Sequence, residues 1–145
     1  MKITTKGRYA IHILYDLATN GTDYPVSVKE IATRQEISVK YTEQIISILN
    51  KAGYVVSSRG FQGGYRLTRP LREYVIGDVL RLTEGSLAPV ECLAGEENLC
   101  PKQKKCETIP LWEKIDQAIR NVVDNVTLQD LVDWQKQGES PIEKI

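Results

Sequence analysis

The strongest constraint on this chain is a pair of capped helices with almost no chain between them. Ser27-Val28-Lys29-Glu30 has the spacing of a capping box, so a short helix is expected over Val26 to Gln35, with Ile31 and Ala32 as its inward pair. Only Gln35-Glu36-Ile37 separates it from a second start, where Ser38 can accept an orphan backbone N–H and open a longer helix that Gly53 ends. Within that helix Tyr41, Ile45, Ile48, Leu49 and Ala52 recur at helical spacing and define the face expected to be buried. The opposite face carries Lys40, Glu43, Ser47 and Asn50, more hydrogen-bonding capacity than a merely solvated surface needs. A connection this short, with one apolar residue to plug the angle, fits a helix-turn-helix.

Two strand-like runs follow, Tyr54 to Ser58 and Tyr65 to Thr68, around Arg59-Gly60-Phe61-Gln62-Gly63-Gly64. They predict a β-hairpin with a basic, glycine-rich tip. Helix, turn, helix and hairpin in this order define a winged helix-turn-helix, and the fold expected is mainly α with one small β-hairpin. The charge distribution agrees with a nucleic-acid module. The formal net charge is +0, but residues 1–72 hold 11 Lys and Arg against 5 Asp and Glu, a net of +6, while residues 73–145 hold 8 against 14, a net of −6. One half is suited to phosphates and the other is not.

At 145 residues, 41% hydrophobic and 26% charged, the chain has ordinary globular composition and room for one good core with an appendage. No apolar run approaches membrane-spanning length, and Met1 to Lys6 lacks the apolar segment of a secretory signal, so a cytoplasmic protein is expected. A first helix is predicted over Lys6 to Asn20, with Ala10, Ile13, Leu14, Leu17 and Ala18 inward and Gly21 as its stop. His12, the single histidine, falls at the edge of that stripe. A short helix over Ile76 to Glu84, ended by Gly85, follows the hairpin.

Residues 86–109 lose periodicity and contain all three cysteines, Cys92, Cys100 and Cys106, spaced C-x7-C-x5-C. An odd number cannot pair fully. The tight C-x2-C knuckles of structural zinc are missing, and the wide spacing in an irregular loop better suits an iron–sulfur cluster, with three unrelated thiols as the other reading. A Cys–His nucleophile pair would need a third orienting group, and none is apparent, so the chain is not expected to be an enzyme. Pro110 then opens a long helix to Asn125 on which Trp112, Ile115, Ile119, Val122 and Val126 step by three and four. This is an a/d seam of the kind that joins two copies. Thr127-Leu128-Gln129-Asp130 caps a last helix through Leu131, Val132 and Trp134, and past Gly138 the tail is expected to fray. The organisation expected is a DNA-binding domain over 1–85, a cysteine loop over 86–109, and a dimerisation helix with a terminal helix over 110–145.

Met1 to Ala10, the Y-T-E-Q of Tyr41 to Gln44, the R-G-x-x-G-G-Y of Arg59 to Tyr65, the three-cysteine loop, Leu111-Trp112 and Thr127-Leu128 together resemble the IscR/NsrR/CymR family of winged-helix regulators, over nearly the whole chain. The resemblance implies a homodimer on palindromic double-stranded operator DNA, with the recognition helix in the major groove and the wing in the minor groove. The DNA-facing positions would be Ser38, Lys40, Tyr41, Glu43, Gln44 and Ser47 on the helix and Arg59 and Gly60 on the wing, with Glu43 serving operator selection. Cys92, Cys100 and Cys106 would hold a 2Fe–2S cluster, and the genes controlled would be those of cluster assembly. A 4Fe–4S cluster that senses nitric oxide, or thiol-redox control without a cluster, are the alternatives. Where IscR-type members supply a histidine after the last cysteine this chain has Ile109, and the acidic position used by NsrR-type members is Arg8. The fourth ligand would come from His12 of the second protomer, Glu107, Glu43 or a small molecule.

Overall fold

A computed structural model describes residues 2–138; Met1 and the tail expected to fray, 139–145, lie outside the described residues. The elements are α1 (Thr5–Asn20), α2 (Val28–Gln35), α3 (Val39–Lys51), β1 (Val55–Ser58), β2 (Gly64–Leu67), α4 (Ile76–Glu84), α5 (Ile109–Val123) and α6 (Leu128–Lys136). Most starts are set by local chemistry. Thr4, Ser27, Ser38 and Thr127 each accept a backbone N–H from the first turn of α1, α2, α3 and α6, and reciprocal capping boxes close at Ser27/Glu30 and Thr127/Asp130. Pro110 sits in the first turn of α5, where its missing N–H costs nothing.

The core gathers around α1. Ala10, Ile13, Leu14 and Leu17 pack with Ile31 from α2, Ile45, Ile46 and Leu49 from α3, Val55 from β1 and Val79 from α4. The last helix, grouped by sequence with the long helix, packs back on α1 and gives Leu128 and Val132 to this same core. The hairpin pairs Val55 with Leu67 and Ser58 with Gly64 in antiparallel register. An isolated bridge between Val26 and Tyr65 fastens the hairpin to the segment before α2. A Cβ on Gly64 would stand 2.5 Å from the Val26 carbonyl, which explains why glycine occupies this crossing.

Two expectations need correction, the buried face of α3 and the apolar row of α5. The buried face of α3 contains Thr42, Ile45, Ile46 and Leu49, whereas Tyr41 and Ile48 are half-buried and Ala52 is exposed. Thr42 is tolerated inside because its hydroxyl donates to the Ser38 carbonyl at 2.8 Å. Gly21 ends α1 as expected, at φ −105°, and its place is dictated by space, since a Cβ would lie 2.7 Å from the Leu17 carbonyl oxygen. On α5, Ile119 is half-buried with Val123 against Ile76, Leu80 and Leu87, and Val126 lies past the helix end in the same cluster. The large apolar residues that α5 leaves exposed are Leu111, Ile115 and Val122. This row shares Ile115 and Val122 with the expected seam and has Leu111 where the seam had Ile119 and Val126.

Candidate nucleic-acid interface and cysteine loop

The angle between α2 and α3 is set by Glu36, the single non-glycine residue at positive φ among those described (55°), whose N–H closes onto α2. Ile37 follows half-buried, and its N–H donates to the Ala32 carbonyl at 3.0 Å. Below the turn, Asp16 of α1 is buried and accepts from Arg34 Nε at 2.9 Å, Arg34 Nη2 at 2.8 Å and Gln35 Nε2 at 2.9 Å. Asp16 holds the Arg34 guanidinium above its ordinary pKa, chiefly through this hydrogen bonding. Three bonds from one helix end to one carboxylate fix α2 against α1, and with it the presentation of α3.

The outward face of α3 carries Lys40, Glu43, Gln44, Ser47 and Asn50, all exposed. Ser38 is exposed at the helix start, and its Oγ accepts the Tyr41 N–H at 3.1 Å. Tyr41 itself stands half-buried, edge-on to Tyr9 with ring centroids 5.8 Å apart. The helix start therefore combines free N–H groups with neighbouring polar side chains, a favourable site for phosphate.

The wing stands beside α3. Arg59, Gly60 and Phe61 are exposed at its tip, with Gly60 at φ +113° and the Gly63 N–H donating to the Gly60 carbonyl at 2.9 Å. The base of the wing is tied by Tyr74, which the sequence reading passed over. Its buried hydroxyl donates to the Tyr54 carbonyl at 2.6 Å and accepts the Thr68 N–H at 2.9 Å, and Arg69 lies over the rings of Tyr54 and Tyr74. Burial pushes the Tyr54 hydroxyl above its usual pKa. From Gln44 to Arg72 the chain holds Lys51, Arg59, Arg66, Arg69 and Arg72 and no carboxylate. The later part of α3 and the wing thus form one acid-free cationic segment, bordered in the chain by Glu43 of the same helix and by Glu73.

The cysteines lie apart from this surface on residues 86–108. Cys92, Cys100 and Cys106 are free and half-buried. Cys92 and Cys100 line one cavity of about 550 Å³ with Glu91, Glu97 and Leu99, and Cys106 is outside it. Among the described residues, no group of three His, Cys, Asp or Glu side chains is gathered to hold a metal ion. The loop hydrogen bonds are short-range: Leu93 to Val90, Ala94 to Glu91, Cys100 to Asn98, Gln103 to Cys100 and Lys105 to Lys102. Cys106 sits before α5, where the Thr108 hydroxyl lies 3.5 Å from its Sγ and itself accepts the Trp112 indole N–H at 3.1 Å. That hydroxyl, helped by the backbone N–H groups of Thr108 and Ile109, lowers the Cys106 pKa. His12 is exposed on α1 beside Tyr9, and Glu107 and Glu43 are exposed.

Behind the loop, α5 is fastened to α4. Arg81 donates to Asp124 through Nη1 at 2.6 Å and Nη2 at 3.0 Å, which raises the Arg81 pKa and holds the Asp124 carboxyl below the usual carboxylate range. A Cβ on Gly77 would collide with the Asp124 carboxylate, so glycine permits this close crossing. Among the described residues, no helix is long and apolar enough to cross a membrane.

Comparisons with known proteins agree with this arrangement. The family model Rrf2, described as an iron-dependent transcriptional regulator, matches residues 3–134. Protein rrf2 of Nitratidesulfovibrio vulgaris is 44% identical over 133 residues, covering 91% of this chain and 87% of that protein. The solved structure of CymR, the global cysteine regulator of B. subtilis, superposes with a TM-score of 0.75 at 38% identity, covering 92% of this chain and 98% of that one. IscR of T. potens superposes with a TM-score of 0.76 at 36% identity, covering 97% and 92%.

Proposed function

The chain belongs to the Rrf2 family of transcriptional regulators, and on that premise we propose that it acts as a homodimer whose cysteine loop carries an iron–sulfur cluster and controls operator choice. The observation that carries the DNA-binding part is the exposed polar face of α3 continuous with the acid-free segment 44–72. Gln44, Ser47 and Asn50 would face base edges in a major groove, where amide side chains pair bidentately with adenine. Lys40 and the α3 start would meet phosphates, and Arg59 would enter the narrower groove beside the wing. Leu111, Ile115 and Val122 supply the apolar row by which two α5 helices would associate, spacing two half-sites on one face of the duplex.

The donor chemistry of the loop fits an iron–sulfur cluster. Three free thiols occur within one irregular segment, and the Thr108 hydroxyl lowers the pKa of one of them. Because that segment is held by short-range turns, Cys106 can be drawn toward Cys92 and Cys100 without breaking the core. A bound cluster, 2Fe–2S or alternatively 4Fe–4S, would supply a redox-labile crosslink between the loop and the start of α5. The fourth ligand would be His12, Glu107, Glu43 or a small molecule. Glu43 is suited to a second task, since an exposed carboxylate beside DNA repels phosphates and acceptor-rich base edges, and so excludes operators that offer it no donor. Control of cluster-assembly genes is the regulon this reading favours.

Cys106, half-buried and with its pKa lowered by the Thr108 hydroxyl beside it, favours one other reading, in which reversible thiol oxidation replaces the cluster. Purification without oxygen separates the two. A brown sample with stoichiometric iron and sulfide supports the cluster; a colourless sample whose DNA binding changes on thiol oxidation refutes it.

A further inference from the structure

Phe61 is the most exposed large apolar side chain among the described residues, at 104% of its reference area. The loop that carries it is constrained. Gly60 takes a positive φ, the Gly63 N–H closes onto the Gly60 carbonyl, and a Cβ on Gly63 would stand 2.5 Å from the Ser58 carbonyl oxygen. The tip therefore holds an aromatic ring outward on a braced turn, where water penalises it and no side chain of its own domain covers it. Arg59 precedes it and Arg66 is exposed on β2, within a segment that contains no carboxylate. Glu30 and Arg34 of α2 line the same cleft as Phe61, so the charge on that side is mixed, and it is the cations before and after the ring in the chain that favour a polyanion as the surface that covers it.

We propose that Phe61 is a minor-groove wedge: it inserts beside the base step that Arg59 approaches, partly unstacks it and bends the operator toward the major groove. This rests on the DNA-binding reading above and adds a deformation to it. Apolar wedges act this way when cations on either side hold the phosphates close, and the bend then brings more duplex against the protein. Specificity would follow, because pyrimidine–purine steps yield to a wedge more readily than stiff A-tracts. The contact is made by shape and stacking and not by hydrogen bonds, so a bulky apolar replacement should serve and a small polar one should not.

The test uses the wild-type protein, Phe61→Leu and Phe61→Ser on a duplex selected from a randomised library by the wild-type protein, with 2-aminopurine placed at successive steps. Wild type and Phe61→Leu are expected to raise fluorescence at one step in each half-site and to bend the duplex. Phe61→Ser should remove that rise, straighten the duplex and weaken binding about 5- to 20-fold, the scale of one lost stacking contact. Phe61→Ser that binds, bends and unstacks as wild type does would overturn the wedge, while leaving DNA binding intact. Phe61-dependent binding to phosphatidylserine/phosphatidylcholine vesicles with no effect on the duplex would overturn it too. A wild-type protein that enriches no duplex at all would instead overturn the reading on which the wedge rests.

Discussion

The joint between α1 and α2 gives the sharpest prediction, because its two partners are unequally exposed. The Asp16 side chain is 1% exposed and the Arg34 side chain 38%. Replacing Arg34 with Met keeps the stem and removes two of the three donors to Asp16, which leaves a buried carboxylate with Gln35 alone. Breaking a buried pair in this way costs about 3–5 kcal/mol, and some water entry at the half-open Arg34 side argues for about 3 kcal/mol. Asp16→Asn should cost less, about 1–2 kcal/mol, because Arg34 can turn to solvent instead of remaining buried without a partner. The double variant Asp16→Leu with Arg34→Met removes both charges and should return to within about 1 kcal/mol of wild type. Urea unfolding followed by circular dichroism at one fixed protein concentration measures all three, and in a thermal scan at the same concentration the Arg34→Met midpoint should fall by about 6–12 °C. An Arg34→Met protein within about 0.5 kcal/mol of wild type, or a double variant no more stable than Arg34→Met alone, would refute the argument.

Arg59→Ala should weaken operator binding by about 1–3 kcal/mol without altering thermal stability; unchanged affinity in a gel-shift titration at moderate salt would remove the wing from the interface. Val122→Asp places a charge in the exposed α5 row and should convert a sedimenting dimer to monomer, with loss of operator binding; a variant that stays dimeric puts the interface elsewhere. Cys92→Ala should leave a folded protein that binds only a subset of operators, and adding Glu43→Ala should restore the rest; an unaltered preference means that the loop acts through another element. The Asp124 carboxyl, held low by Arg81, contributes stability that is full above its unfolded pKa near pH 4 and fades as pH falls through its lower folded value. Arg81→Met should flatten that acid limb in pH-dependent unfolding, and an unchanged limb would mean the α4–α5 joint contributes nothing.

What the sequence determined by itself is local. Ser27/Glu30, Ser38 and Thr127/Asp130 fix helix starts because a cap is satisfied within one turn, and the structure forms each of them. The hairpin followed from its glycine-rich tip and strand-like flanks for the same reason, and Gly53 and Gly85 stop their helices at positive φ. Tertiary structure decided which side of each helix meets a partner. On α3 the inward residues shifted to include Thr42 and Ile46, because α1 and β1 choose the face and the Ser38 carbonyl satisfies the Thr42 hydroxyl. On α5 the two apolar rows share Ile115 and Val122, and periodicity alone does not rank them. The Arg81–Asp124 pair and the close crossing at Gly77 turn Ile119 inward and leave Leu111 out. Asp16 with Arg34, and Tyr74 with Tyr54 and Thr68, escaped the sequence because their hydrogen bonds join elements that no short-range pattern relates. The cysteines show the same limit from the other side: spacing placed three thiols in one loop, but convergence on a point is a property of the folded loop, and its short-range turns leave Cys106 apart from Cys92 and Cys100.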